Sequence, residues 1–167
     1  MARSVLLVTG AGSARLAAKT QAAITVTVSG LGCSTAAGGN TFDARSWSWG
    51  ATNVVTDPAG GGGGTGKAVV SALTLTRTTD ACSPALLGGV ITGTRFPSLS
   101  LTQYDDGGVV TATVVLNDVT LSGWVIGSSD ASAQATEEVQ VSFVKFTLSD
   151  VASGNKFCWD LAAAKAC

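Results

Sequence analysis

Histidine is absent from all 167 residues. Ser-His-Asp and Cys-His catalysis, HExxH zinc sites and imidazole acid–base chemistry are therefore excluded by inventory. Charge is scarce: charged residues make up 13% of the chain, ten Lys and Arg against eleven Asp and Glu, for a net charge of −1. A soluble domain ordinarily carries about a quarter charged residues. No stretch is strongly basic, so a nucleic-acid groove lacks its electrostatic footing. No apolar run approaches the roughly 20 residues that span a bilayer, which argues against stable membrane insertion. The four cysteines, Cys33, Cys82, Cys158 and Cys167, are too widely spaced for a CxxC knuckle. Without histidine they make a poor metal set, and no cofactor is implied.

What is present is apolar and β-branched. Hydrophobic residues reach 46%, and the length predicts one domain at about 150 residues each. A lone soluble domain needs a charged, patch-free coat. The scarcity of charge implies that much of the outer surface is covered by something else. The chain holds 21 Thr and 19 Val, a composition that suits pleated sheets and penalises helices.

The dominant periodicity is two. Ile24 to Val28 alternates apolar and polar, as a half-buried strand does. The segments 42–49, 69–76, 98–102 and 137–148 follow the same rule. Val109 to Leu121 is long enough for one bent strand or two, and Lys156 to Leu161 makes the last strand. One helix is expected. Ser83 supplies an N-cap hydroxyl, Pro84 suits the first helical position, and Gly88, Gly89 and Gly93 keep the helix short. The expected fold is mainly β: an antiparallel β-barrel of two sheets with one short helix.

Two glycine motifs do not hold up as nucleotide sites. Gly61 to Ala68 approaches GxxxxGK[ST], but its last position is Ala68 and a strand, not a helix, follows. Gly10 and Gly12 begin a GxGxxG whose third position is Arg15, with no βαβ alternation after it. Asp105-Asp106-Gly107-Gly108 reads as a hairpin turn. Glu137 and Glu138 start a strand, where neighbours face opposite sides, so no carboxylates converge for hydrolysis. Met1 to Val8 carries one Arg and a short apolar run that Thr9, Gly10 and Gly12 interrupt. That favours an uncleaved N-terminus over a processed secretion signal.

Four motifs occur in order: Ser46-Trp47-Ser48-Trp49-Gly50, a glycine-rich loop leaving through Gly66-Lys67, Asp80-Ala81-Cys82-Ser83-Pro84-Ala85-Leu86-Leu87, and Phe157-Cys158-Trp159-Asp160-Leu161. In this order the chain resembles the haemolysin-coregulated protein (Hcp) family, the tube protein of type VI secretion systems, from about Ala23 to Ala166. The motif core is Trp47, Trp49, Pro84, Leu86, Leu87 and Trp159. The resemblance implies a small β-barrel whose copies form rings, six to a ring on family analogy, stacked into a hollow tube related to phage tail tubes. It implies a non-enzymatic structural subunit, exported or extracellular, whose partners are copies of itself and a sheath, spike or effector. The lumen face would be rich in Ser and Thr. Residues Asn53, Val54, Val55, Gly62, Gly64 and Lys67 correspond to the loop that reaches the adjacent ring. The competing reading is a secreted β-barrel module that binds a carbohydrate or protein at its rim.

Two departures accompany the resemblance. Residues 1–22 precede the barrel (23–167) as an extension, either an arm strapping one subunit to the next or a plain tail. The cysteines are unusual for a reducing cytoplasm. On one continuous strand Cys158 and Cys167 would stand about 30 Å apart, far beyond the roughly 7 Å that a disulfide allows. Cross-pairing with Cys33 and Cys82, within or between subunits, is then the geometric option unless the chain turns back. Disulfides are favoured over four reduced cysteines, with connectivity open.

Overall fold

The structure is a computed structural model and describes residues 23–53, 55–56, 64–129 and 134–167. The extension 1–22 lies outside the described residues, as do Val54 and Gly62 of the glycine-rich loop. Ten strands form the main sheet. They are β1 (Ala23–Val28), β2 (Thr41–Ala44), β3 (Ser46–Ser48), β4 (Leu73–Thr78), β5 (Arg95–Tyr104), β6 (Val110–Gly127), β7 (Thr136–Ser142), β8 (Lys145–Asp150), β9 (Lys156–Asp160) and β10 (Lys165–Ala166). Among the described residues there is one helix, α1 (Ser83–Thr92), between β4 and β5. All pairings are antiparallel.

The long strand β6 organises the fold. Its first half pairs β5 on one side and β8 on the other, from Ala112 to Asn117. Beyond Thr120 it pairs β7 instead. Two irregularities permit the change of partner: Asp118 sits at φ 51°, and the register shifts between Leu121 and Gly123. Such breaks bend a strand and raise its twist, so one element serves two layers. The first layer runs β9-β8-β6-β5-β1-β2, and the second runs from β6 through β7 and β4 to β3.

The expected barrel does not close. Between β2 and β4 the ladder fails, and Arg45 bridges the gap: its amide donates to the Thr76 carbonyl at 2.7 Å and its Nε to Thr78 Oγ1 at 2.8 Å. The result is sandwich-like, with mainly β content and one helix as expected. The same gap breaks the expected strand 42–49 at Arg45. There the chain turns a corner from one layer to the other. The segment 137–148 likewise divides at Phe143 and Val144, because β7 and β8 pair different halves of β6.

Alternation decides the core. Val26, Val28, Phe42, Leu73, Leu75, Leu99, Leu101, Val114, Leu116, Val139 and Val141 are all fully buried between the layers. Their neighbours Thr25, Thr27, Ser100, Thr102 and Thr113 point outward, one residue out of phase. The turn at Asp105 forms as expected: its carboxylate accepts the amides of Gly107 (2.8 Å) and Val109 (2.9 Å). The positive φ falls on Gly108, at 78°.

Helix α1 differs from expectation at its start. Its N-cap is Cys82, in a right-handed conformation without a side-chain cap bond. The Ser83 hydroxyl instead donates to Glu137 Oε1 at 2.9 Å, while Asp80 Oδ1 accepts the Cys82 amide at 2.7 Å. The paired glycines do not shorten the helix. At Gly89 an added Cβ would lie 3.0 Å from Leu121 Cδ1 and 3.1 Å from the Phe96 ring. Glycine there lets the helix approach the sheet, and Gly93 ends it at φ 63°.

One charged pair sits inside this apolar sandwich. Arg77 is 0% and Glu137 1% exposed. Arg77 Nη1 lies 3.3 Å from Glu137 Oε1, Nη2 contacts Asp80 Oδ1, and the guanidinium lies 4.1 Å from the centroid of Phe42. None of the three guanidinium nitrogens makes an aligned hydrogen bond, so charge and the aromatic face hold it. Trp124 Nε1 donates to Glu137 Oε2 at 3.0 Å. Replacing Glu137 by alanine removes both accepted bonds and half of the counter-charge. A loss of about 3–5 kcal/mol is expected, measured as a lower urea midpoint at unchanged slope.

Candidate assembly surfaces

Strand register builds a hydroxyl surface on the outside of the first layer. Asp43, Thr25, Thr102, Thr113, Ser149 and Lys156 stand side by side across six strands. The next rank is Thr41, Thr27, Ser100, Val115, Thr147 and Cys158. Within the array Thr27 and Thr41 hydroxyls lie 2.8 Å apart, and those of Ser29 and Ser98 2.9 Å apart. Mutual bonds tie hydroxyls that would otherwise hold water. Only its margins carry charge.

The glycine-rich loop rises from a two-residue ladder joining Ala51–Thr52 to Val69–Val70, and a second joins Val55–Thr56 to Gly64–Thr65. Asn53 and Lys67 are exposed, and Val69 at the loop base is 63% exposed. The structure therefore puts Val55 and Gly64 on facing strands, with Asn53 and Lys67 outside the ladders.

The motif residues serve the fold. Leu86 is buried, Leu87 half-buried, and Pro84 exposed at the first helical turn. Trp47 Nε1 donates to Gln103 Oε1 at 3.0 Å. Trp49 meets Phe143 and Phe146 edge-on, with centroids 5.6 and 4.6 Å apart, and its buried N–H has no partner among the described residues. Trp159 stacks on Phe157 at 6.1 Å. An aromatic seam thus runs from the core outward to Phe157, which is 55% exposed.

Both disulfides form, but not as cross-pairs. Cys33 pairs with Cys82 (Cα–Cα 5.1 Å) and Cys158 with Cys167 (Cα–Cα 5.4 Å). The second is reachable because the chain turns back after β9. Asp160 Oδ1 accepts the Ala163 amide at 2.8 Å, Ala164 adopts φ 52°, and β10 returns along Trp159 and Asp160. The first ties the loop after β1 to the start of α1, with Cys82 fully buried. Sequence reasoning missed the Arg77–Glu137 pair. Its only trace was an arginine at an inward position of β4's alternation.

The architecture is that of a β-sandwich tube protein. Residues 23–149 match the family described as type VI secretion system effector, Hcp, and the chain belongs to that family. Solved structures agree on the fold. Hcp1 from Salmonella typhimurium is 22% identical over 88% of this chain and 99% of that one, with a TM-score of 0.73. A structure described as a type six secretion system protein is 19% identical over 87% and 99%, at 0.75. The sheath–tube complex of an extracellular contractile injection system, PVC, is 13% identical over 77% and 88%, at 0.55. No curated protein matches the chain. As a member of this family the protein is a structural tube subunit, not an enzyme.

Two measurements test this geometry. The Cys33–Cys82 bridge spans 49 residues, and loop-closure entropy assigns such a bridge about 4 kcal/mol. The double variant Cys33→Ala/Cys82→Ala is expected to lose 2–4 kcal/mol, about that much, in denaturant unfolding. Asp160 is held below the ordinary carboxylate range, first by the Ala163 amide, then by the Ala162 amide and by Lys145 and Lys165. A depressed folded pKa adds stability above the unfolded value and loses it as pH falls through the folded one. The C-terminal hairpin should therefore loosen only as pH falls below the ordinary carboxylate range, seen as rising amide exchange at Ala163.

Proposed function

We propose that this subunit closes into homohexameric rings that stack head to tail, and that the hydroxyl surface of the first layer lines the lumen. The carrying observation is that array: two ranks of mainly Thr and Ser side chains crossing six strands, with charge confined to the margins. An uncharged, hydroxyl-tiled wall offers cargo neither ion pairs nor large apolar contact, so polypeptides pass without sticking. Lateral neighbours would cover the flanks that the low charge content leaves bare.

The loop bearing Asn53, Val54, Val55, Gly62, Gly64 and Lys67 reaches the adjacent ring, with exposed Val69 at its base adding apolar contact. Sheath, spike or effector proteins are further partners, and the assembled tube acts outside the cell that makes it. No observation favours a carbohydrate-binding rim.

Negative-stain imaging of the purified protein tests this directly. Rings with sixfold symmetry are the expected result, and a monomer that persists at high concentration overturns the proposal. Deleting residues 60–64 is expected to leave single rings and abolish stacks. Stacks of undiminished length would remove the loop from the ring-to-ring contact.

A further inference from the structure

The C-terminal hairpin lies beyond residue 149, where the family match ends. Its disulfide is open to solvent: Cys167 is exposed and Cys158 half-buried, whereas Cys82 of the other bridge is fully buried. A cleft of about 440 Å³ beside the bridge is lined by Thr147, Lys156, Phe157, Cys158, Ala166 and Cys167. Lys156 places a cation in that cleft, which favours the approach of a thiolate. In the other bridge neither sulfur-bearing residue is exposed: Cys33 is half-buried and Cys82 fully buried.

We propose that Cys158–Cys167 is a thiol-exchange site for low-molecular-weight thiols and that it latches β10 over the outer edge of β9. A thiolate attacks Cys167 Sγ. A new S–S bond forms between the small thiol and Cys167, the protein disulfide breaks, and its electron pair leaves on Cys158 Sγ, which takes a proton from water. A second thiolate attacks the small-thiol sulfur of this mixed disulfide. It releases the oxidised small-molecule disulfide and leaves Cys167 as a thiolate. The protein gains two electrons and two small thiols lose them; the oxidised small-molecule disulfide drives both steps in reverse.

The latch matters because little else holds the tail. Strand β10 has two residues. The Cys167 amide reaches the Cys158 carbonyl at 3.4 Å, and the Ala163 amide reaches Asp160 at 2.8 Å. A hairpin this short does not persist without a covalent tie. Once opened, the tail leaves the β9 edge at Trp159 and Asp160 unpaired, and an unpaired edge accepts a strand from a second copy of this chain. Closed, that edge is capped. The chemistry of exchange stands apart from the tube reading; only its consequence for assembly touches it.

The test treats the oxidised, full-length protein with glutathione and follows alkylation by mass spectrometry, amide exchange, and sedimentation. Cys158 and Cys167 are expected to open more than about tenfold faster than Cys33 and Cys82. The transient adduct should sit on Cys167, and amide protection at Ala163 and Cys167 should vanish. The opened chain is expected to assemble at about tenfold lower protein concentration, and Cys158→Ser/Cys167→Ser should match it without thiol. Comparison of oxidised and opened wild-type protein keeps the test valid whether or not the double variant folds. Equal opening rates, an adduct on Cys158, or a tail that stays protected overturns the exchange site. Rings in equal amount in both states overturn the latch and leave the tube reading standing, whereas monomers in both states overturn both.

Discussion

A cation sealed inside an apolar sandwich constrains everything around it. Arg77 is fully buried, so its charge must be answered by groups that the fold delivers to one spot. Glu137 comes from β7, Asp80 from the turn before α1, and Phe42 from β2 in the other layer. Ser83 and Trp124 then fill the remaining lone pairs of Glu137. Three segments meet at the guanidinium and two more at its glutamate, and a slip of one residue in any of these strands would expel a partner. A buried pair adds little net energy over an apolar substitute, but breaking it is costly. Its effect is to select one register among several that the hydrophobic pattern tolerates.

The disulfide Cys33–Cys82 works on the same region from outside. It fastens the loop after β1 to the residue that opens α1, two positions from Asp80. Helix, corner and ion pair are therefore held together at one end of the sandwich. The opposite margin, where β9 and β10 form the free edge, has only the short C-terminal bridge. Rigidity at one end and a covalent clasp at the other hold the broad hydroxyl surface between them in register.

Scarcity of charge acquires its meaning from that surface. In an isolated domain Thr and Ser on the outside would be unremarkable. Here strand pairing lines them up, so that Thr25, Thr102 and Thr113 are neighbours although far apart in the chain. On the proposed reading this surface is the tube wall, which holds water and repels nothing in particular, and β-branched hydroxyl residues build it without weakening the sheet. The flanks, freed of charge, can be buried by sister copies.

Much was legible beforehand because it depends only on neighbours in the chain. Period-two alternation marked most strands, Gly93 marked the helix end, and four motifs in order marked the family. Other features depend on partners distant in sequence. Alternation runs smoothly through Arg45 and through Phe143-Val144, yet both are breaks, because which half of β6 a strand pairs is decided by tertiary packing. A serine before a proline reads as a cap, but Glu137 from a distant strand claims its hydroxyl. Cys158 and Cys167 looked too far apart because extension was assumed, and a turn held by Asp160 brings them together. The sequence by itself determined the class of fold, the absence of imidazole chemistry and a surface poor in charge. Only the tertiary structure decided where the barrel opens, which cysteines pair and how one arginine is buried, since each is settled by side chains meeting across layers that no local pattern encodes.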